Sequence, residues 1–145
     1  MTEYGVRRIP GEGELSHAFD VRQDVFVDEQ DVSGAEEWDG LDDDAIHYVL
    51  YDGGRPVGTA RLRMPESGLA KVERVAVRSE HRGEGLGRRL MDLLESEARK
   101  QGCSRVLLYA QVPVEEFYEK LGYETTSDVF DEAGIPHVEM EKPLD

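Results

Sequence analysis

The sequence predicts an α/β fold with a mixed sheet and helices on both of its faces. Strand-like alternation and helix-like spacing of apolar residues follow one another in the order β-α-β-β-β-α-β-α-β-β. A loop with three glycines joins one strand to the longest helical segment. Because 145 residues suit one hydrophobic core, we expect a single domain over residues 1–145.

The first part of the chain predicts three strands and one helix. Residues 4–9 alternate weakly and precede a Pro-Gly turn, which indicates a strand. Apolar residues at offsets of three and four predict a helix over residues 15–27. Residues 46–51 and 56–63 are strand-like and flank the turn sequence Asp-Gly-Gly-Arg, so we expect an antiparallel hairpin.

The stretch 71–101 organises the rest of the chain. Residues 71–77 are a β-branched apolar run that predicts a strand. After the glycine loop at residues 82–87, apolar residues at helical spacing predict a helix that faces a core and ends at Gly102. The stripe on this helix comprises Leu86, Leu90, Leu93, Leu94 and Ala98.

The last part of the chain predicts a strand, a short helix and two further strands. Residues 105–110 read as a buried strand and residues 114–121 as the helix. Residues 123–130 and 136–140 are the final two strand candidates. Since the strands at 71–77 and 105–110 flank the crossover helix, they should be parallel neighbours.

The glycine loop has the features of a phosphate-binding site. Gly83, Gly85 and Gly87 place bare backbone N–H groups at the positive end of a helix, with Arg82 and Arg88 beside them. No Lys-Ser or Lys-Thr follows these glycines, which excludes a P-loop. Their recurrence at every second residue also excludes the dinucleotide-binding fingerprint.

The remaining pattern, [R/Q]-x-x-G-x-[G/A] after a strand, is met by residues 82–87. This segment resembles the acetyl-coenzyme A loop of the GNAT N-acetyltransferase superfamily. Residues 117–123, Phe-Tyr-Glu-Lys-Leu-Gly-Tyr, resemble a second segment of that superfamily. Residues 21–30 and 134–137 look like the ElaA-like branch, so the resemblance covers nearly the whole chain.

The resemblance implies an acetyl-CoA-dependent N-acetyltransferase that moves an acetyl group directly to a primary amine, without a covalent acyl-enzyme. It also implies a mostly antiparallel sheet with a V-shaped splay between its two parallel strands, in which the pantetheine arm pairs with the backbone of residues 75 and 77. Acetyl-CoA is the cosubstrate, and no metal is expected. The expected cofactor-binding residues are Val75, Ala76, Val77, Arg82, Gly83, Glu84, Gly85, Leu86, Gly87 and Arg88.

Two residues are candidates for catalysis. Tyr118 matches the superfamily's tyrosine that gives a proton to the coenzyme A sulfur. Glu73 is the candidate general base, because it lies two residues before Val75 and a desolvated carboxylate there would have a raised pKa. A salt bridge between Glu73 and Lys71 or Arg74 is the equal alternative.

The segments expected to bind the acceptor carry fewer recognisable sequence motifs. His137 is a candidate for acceptor binding or proton transfer, and Arg61, with Arg63 on the same face of its strand, is a candidate for holding an anionic group of the acceptor. Ion pairs with Asp or Glu are the alternative for both arginines. Trp38 lies among acidic residues that would attract a cationic amine or simply form a solvated loop. The six carboxylates are Glu36, Glu37, Asp39, Asp42, Asp43 and Asp44.

Composition limits the partners. With 17 basic and 32 acidic side chains, the formal net charge is −15, which argues against nucleic acid and anionic membranes and resembles a surface adapted to high salt. Cys103 is the only cysteine, so no internal disulfide forms, and a cytoplasmic location is expected. The oligomeric state is open, with a homodimer among its alternatives.

Two functions of different classes follow from the sequence. The first is the N-acetyltransferase, whose acceptor is a small-molecule or protein amine. The second is a coenzyme A-binding sensor that keeps the loop but lacks turnover. The presence of Tyr118 and Glu73 favours the enzyme.

Overall fold

The structure is a computed structural model that describes residues 4–11 and 13–145, without the side chains of residues 35 and 36. The strands are β1 Tyr4–Pro10, β2 Ile46–Asp52, β3 Arg55–Glu66, β4 Leu69–Val77, β5 Arg105–Gln111, β6 Glu124–Thr125, β7 Phe130–Glu132 and β8 Ile135–Pro143. The α-helices are α1 Ser16–Arg22, α2 Gly34–Glu37, α3 Leu86–Lys100 and α4 Glu115–Lys120.

All of these strands belong to one sheet, in the order β1-β2-β3-β4-β5-β8-β6, with β7 paired to β8. The β4–β5 pair is parallel, and the other recorded pairs are antiparallel. Helix α3 is the crossover between the two parallel strands, because parallel neighbours cannot be joined by a tight turn. The predicted mixed, mostly antiparallel sheet is confirmed.

The parallel strands β4 and β5 are paired over only part of their length. Their register runs from Leu69 opposite Arg105 to Val72 opposite Leu108. Beyond that point β4 continues along β3, while β5 continues along β8 as far as Gln111 opposite His137. The two strands therefore part, and the predicted V-shaped splay lies between residues 73–77 and 109–111.

A β-bulge interrupts β4 just where it leaves β5. Thr59 and Arg61 of β3 oppose Ala76 and Glu73 of β4, so two steps along β3 match three along β4. Arg74, inside the bulge, has a left-handed φ of 57°. Because a bulge adds one residue to a strand of period two, it reverses which face the following side chains point to.

This reversal corrects the expectation that Glu73 and Val75 share a face. Before the bulge, Val72 packs into the main core under α3, and Glu73 points to the opposite face with Arg61. After the bulge, Val75 packs against that main core, whereas Ala76 joins a small cluster with Val21. Glu73 and Val75 therefore face opposite sides of the sheet.

Helix α3 packs on the sheet as its apolar stripe predicts. Leu86, Leu90, Leu94 and Ala98 are buried in the main core with Met91. The predicted stripe member Leu93 is half-buried at its margin. Burial of apolar surface contributes about 25 cal/mol per Å², so this stripe stabilises the packing of α3 on the sheet. The packed helix in turn holds the glycine loop that precedes it.

Two predicted elements differ in detail. The helix expected over residues 15–27 is α1 followed by a π-helix, Gln23–Glu29, so the chain turns more widely as it approaches the splay. The single strand expected over residues 123–130 is divided into β6 and β7, both pairing with β8.

Candidate active site

An open cavity of about 900 Å³ lies at the splay between β4 and β5. One region of its wall, which we call the loop end, is formed by Arg82, Gly83, Gly85, Leu86, Gly87 and Arg88. The other, which we call the polar end, is formed by Gln30, Glu37, Lys71, Glu73, Gln111 and His137. Val75, Ala76 and Val77 of β4 lie in the wall between them, and Phe117 and Tyr118 of α4 also line the cavity.

The loop end is built from exposed backbone. Gly83 and Gly85 have left-handed φ angles of 85° and 79°, and nothing lies within 4 Å of the position a Cβ would take at either. Gly85 is the residue before α3, so its neighbours' N–H groups belong to the positive helix end. At Gly87 a Cβ would stand 3.3 Å from Phe117 Cζ, which explains why the residue is small.

Arg82 is held by contacts that the sequence did not predict. Its Nη1 and Nη2 each donate to a carboxylate oxygen of Glu29 at 2.7 Å, and its Nε donates to the carbonyl of Val77 at 2.9 Å. The hydrogen bond from Arg82 lowers the pKa of Glu29. Glu29 ends the π-helix, so this ion pair ties the first helical segment to the glycine loop.

A second tie lies one residue further on. Gln111 Nε2, on β5, donates to Gln30 Oε1 at 2.8 Å. The two adjacent residues Glu29 and Gln30 thus contact both the glycine loop and the far strand of the splay. Glu84, in contrast, accepts a hydrogen bond from the Tyr4 hydroxyl at 2.8 Å, so its side chain is directed to β1.

Tyr118 is a buried side chain at the cavity wall. It is 8% exposed, and its ring packs edge-on against Phe117 and Tyr123 at centroid distances of 4.9 and 5.9 Å. Burial raises the pKa of the Tyr118 phenol to about 12. The hydroxyl therefore carries its proton at neutral pH, as a proton donor must.

Glu73 does not have the raised pKa expected of a general base. It accepts hydrogen bonds from Arg61 at 2.8 Å and from Arg63, and Lys71 Nζ lies 3.6 Å away. Burial raises the pKa of the Glu73 carboxyl, but the hydrogen bond from Arg63 and the charges of Arg61, Arg63 and Lys71 outweigh it and lower the pKa below its usual value. The sequence left two roles open for Glu73, a general base or a salt-bridge partner. The structure shows the salt bridge, formed mainly with Arg61 and Arg63 and more distantly with Lys71.

Arg61 does not reach the cavity. Its side chain is fully buried, and it donates to both oxygens of Asp39 at 2.9 Å, to Asp42 at 3.1 Å and to Glu73. The hydrogen-bond partners recorded for the guanidinium are all carboxylates of the protein itself. The expectation that Arg61 holds the acceptor is wrong, because these internal ion pairs bury it beneath the polar end.

Two more arginines extend this buried network. Arg22, 1% exposed, donates to Glu37 and Asp42 at 2.6 Å each. The guanidinium of Arg74 lies 3.2 Å from both Glu37 and Asp39. Three carboxylates of the acidic segment are therefore structural partners of arginines, and the solvated loop predicted for them is wrong.

Trp38 also contacts the protein rather than the cavity. Its ring meets Phe19 edge-on at 5.1 Å, and the Arg22 guanidinium lies 4.9 Å from its centroid. The cation that Trp38 stacks on is thus internal.

His137 faces the polar end from β8. Its Nδ1 lies 2.7 Å from the carbonyl oxygen of Ile135, its Nε2 lies 4.0 Å from Glu132, and its ring stacks on Phe130 at 6.2 Å. The side chain is 8% exposed and lines the cavity. The structure therefore brings His137, Glu73 and Tyr118 to one cavity.

Within residues 4–11 and 13–145, no group of three or more potential metal ligands is found. In the same part of the chain, no helix is both long and apolar enough to span a bilayer.

A glycine loop at a helix end, two parted parallel strands and a buried tyrosine facing the same cavity are the features that the resemblance predicted for an acyl-coenzyme A-dependent transferase. Residues 18–144 match the family model of the acetyltransferase (GNAT) domain. The chain therefore belongs to the GNAT acetyltransferase family and is an N-acetyltransferase that uses acetyl-CoA.

Individual relatives agree with this family. The chain is 45% identical over 132 residues to the uncharacterized N-acetyltransferase YjcF of Bacillus subtilis, covering 90% of this chain and 94% of that protein. The crystal structure of Escherichia coli ElaA is similar with a TM-score of 0.83, at 26% identity over 98% of this chain and 99% of ElaA. An acyl-CoA N-acyltransferase from Pseudomonas aeruginosa gives a TM-score of 0.83 at 28% identity, over 97% of this chain and 99% of the other.

Proposed function

We propose that the protein transfers the acetyl group of acetyl-CoA directly to a primary amine, without a covalent acyl-enzyme. The observation that carries this proposal is the cavity, which continues from the glycine loop past the β4 bulge to the polar end. In the described part of the chain, no serine, threonine or cysteine lines it, so its wall offers no aliphatic hydroxyl or thiol that could form an acyl-enzyme. An amine that enters at the polar end would meet the thioester itself.

The loop end would hold the pyrophosphate of acetyl-CoA. Backbone N–H groups at Gly83, Gly85 and Gly87 would donate to its oxygens, and Arg88 would add a positive charge. The pantetheine arm would then follow β4 along Val75, as an added strand in the splay. Arg82 would add a second positive charge, which its ion pair with Glu29 partly offsets.

The thioester would lie at the bulge. Arg74 and Val75 have no partner residue on β3, and a bulge locally disrupts the sheet ladder. The N–H of Val75 is our proposed donor to the thioester oxygen, where negative charge develops during attack. Tyr118 is our proposed donor of a proton to the departing sulfur, since its phenol is protonated and faces the same cavity.

The acceptor is a small-molecule or protein amine with polar groups near its nitrogen. The polar end supports this, because its walls carry carboxylates, an ammonium and two amides rather than an apolar surface. Neither Glu73 nor Arg61 is assigned a role in contacting the acceptor or its proton. Both instead hold the buried ion network that supports this wall.

A calorimetric titration with acetyl-CoA, followed by a thiol-release assay against a panel of primary amines, tests this function. We expect binding together with thiol release that depends on an amine. Binding with no release for any amine would favour the alternative, a coenzyme A-binding sensor. Absence of binding would overturn the assignment of the loop end.

We also propose a cytoplasmic enzyme that works at high salt. The support is the formal net charge of −15, whose self-repulsion dissolved ions would screen. Urea unfolding at increasing KCl should show a rising free energy of unfolding. Maximal stability already in dilute buffer would contradict this.

A further inference from the structure

We propose that His137 is the base that takes the proton from the acceptor ammonium, and that Glu132 and the carbonyl of Ile135 position it. This inference rests on the proposed amine transfer. It assigns the proton-removing step to an imidazole on β8, at the polar end of the cavity. Glu73, which the sequence favoured, is neutralised by three cations and is a weak proton acceptor.

The hydrogen bond to Ile135 determines which nitrogen of His137 is basic. A backbone carbonyl only accepts hydrogen bonds, so His137 Nδ1, 2.7 Å away, must carry the proton. In the neutral ring, Nε2 then holds the free lone pair. The ring is fixed in this orientation because it also stacks on Phe130. A neutral imidazole with its free nitrogen fixed in place is suited to accept a proton.

Glu132 stabilises the imidazolium that forms when His137 Nε2 takes up a proton. Its Oε2 lies 4.0 Å from Nε2, so an imidazolium formed there has a carboxylate beside it. Among the residues described, Glu132 has no ion pair with an arginine or lysine, unlike Glu37, Asp39 and Glu73 at the same cavity. The other charged groups that line this region are Lys71 and Glu73 from β4, Arg74 at the bulge, and Glu37 and Asp39 from the acidic segment.

His137 and the expected thioester lie on the two sides of the splay. Lys71 of β4 is paired with Leu107 of β5. The pairing ends one residue later, and beyond it Val75 lies on β4 and Gln111 on β5, where Gln111 is paired with His137. Paired residues point to the same face of a sheet, so His137 and Gln111 face one side together. His137 thus stands across the splay from the Val75 backbone.

The proton balance is complete with these groups. The acceptor R–NH₃⁺ gives one proton to His137 Nε2, and the free amine then attacks the thioester carbon. A C–N bond forms and the C–S bond breaks. Tyr118 protonates the leaving sulfur and recovers its proton from the amine nitrogen. His137 passes the first proton to water, so the sum is amide, free thiol and one released proton.

His137→Gln tests this role, and His17→Gln is the matched control. His17 lies on α1, outside the cavity, and its Nδ1 is 2.9 Å from the Tyr51 hydroxyl. At neutral pH we expect His137→Gln to lower kcat/KM by about 100-fold for the best alkylamine of the panel, with acetyl-CoA affinity unchanged. The loss should shrink as pH rises, and for methoxyamine, which is already neutral, it should be less than about threefold. Equal losses for both amines, or an unaltered pH profile, would overturn the proposal.

A second measurement does not depend on finding an acceptor. Nitrogen NMR of the imidazole signals in the full-length protein, with His137→Gln to assign one of them, reports which nitrogen is protonated. We expect the proton on Nδ1, and a neutral ring protonated on Nε2 would overturn the proposal. If the wild-type protein bound acetyl-CoA but released no thiol with any amine, the proposed transfer would fail while the NMR result still stood by itself.

Discussion

The two ends of the cavity are built in opposite ways. The loop end consists of bare backbone, with two left-handed glycines and open space where side chains would be. The polar end rests on buried side chains, in which Arg22 and Arg61 are almost fully enclosed by carboxylates. In our proposal, the loop end would bind a constant group, the pyrophosphate, with backbone groups that every residue has. The polar end would form a wall for one particular acceptor, which requires specific side chains.

The largest difference between the two ends should appear in the free energy of unfolding when the buried ion network of the polar end is broken. Arg61→Met leaves Asp39, Asp42 and Glu73 without their shared cation, and we expect the free energy of unfolding to fall by about 3–5 kcal/mol. Urea denaturation measures this loss.

Arg55→Met is the matched control for this change. Arg55 is paired with Glu80, but both side chains are about half exposed, so its loss should cost about 1 kcal/mol or less. Equal losses for the two variants would mean that the buried network contributes no more than a surface pair does.

The loop end should instead fail in binding. Gly85→Glu places a carboxylate at the helix end where the pyrophosphate is expected, and we expect acetyl-CoA affinity to fall by about 100-fold or more. Since Gly85 has a φ of 79°, any side chain there also costs about 1–2 kcal/mol of strain.

Gly53→Glu separates these two effects. Gly53 has a φ of 62° in the β2–β3 turn, also with nothing within 4 Å of its Cβ position, and it does not line the cavity. The Gly53→Glu variant should lose about as much stability as Gly85→Glu but keep its affinity for acetyl-CoA. Undiminished affinity in Gly85→Glu by calorimetry would show that the cofactor does not use this loop.

The proposed acid, Tyr118, lies in the wall of the same cavity. Tyr118→Phe removes only the hydroxyl, and we expect kcat to fall by about 10- to 100-fold, with acetyl-CoA affinity retained. Tyr51→Phe is the control, since Tyr51 is buried to the same extent but does not line the cavity. A kcat equal to that of wild type, when the chemical step limits turnover, would remove this role from Tyr118.

The sequence predicted best what depends on local spacing. The strand, loop and α3 could be placed because glycine positions and a 3.6-residue apolar period are visible within one segment. Of the residues expected to bind the cofactor, all but Glu84 line the cavity, although their contact with the cofactor stays a prediction. The ion pair of Arg82 with Glu29 was not predicted. The mixed sheet followed from the order of the elements.

The polar end could not be predicted in the same way. Its ion pairs join residues far apart in the chain, with Arg22 and Glu37 separated by 15 positions, Arg61 and Asp39 by 22, and Arg74 and Asp39 by 35. Composition shows that both charges are present but not which carboxylate meets which arginine. The bulge at Arg74 was equally hidden, since nothing in a β-branched run marks the extra residue that reverses the strand's faces.

The smallest expected effect concerns the ion pair between Arg82 and Glu29 at the loop end. Arg82 is bound in a bidentate pair to Glu29, which occupies two of its donor groups and offsets its charge where the pyrophosphate is expected. Glu29→Gln should therefore raise acetyl-CoA affinity, by about two- to fivefold because both side chains are partly exposed. Glu116→Gln, which removes the same charge at an exposed pair with Lys120, should leave affinity unchanged. A loss of affinity in Glu29→Gln alone would mean that Glu29 positions Arg82 for the cofactor, and that the loop end, like the polar end, relies on a preformed ion pair.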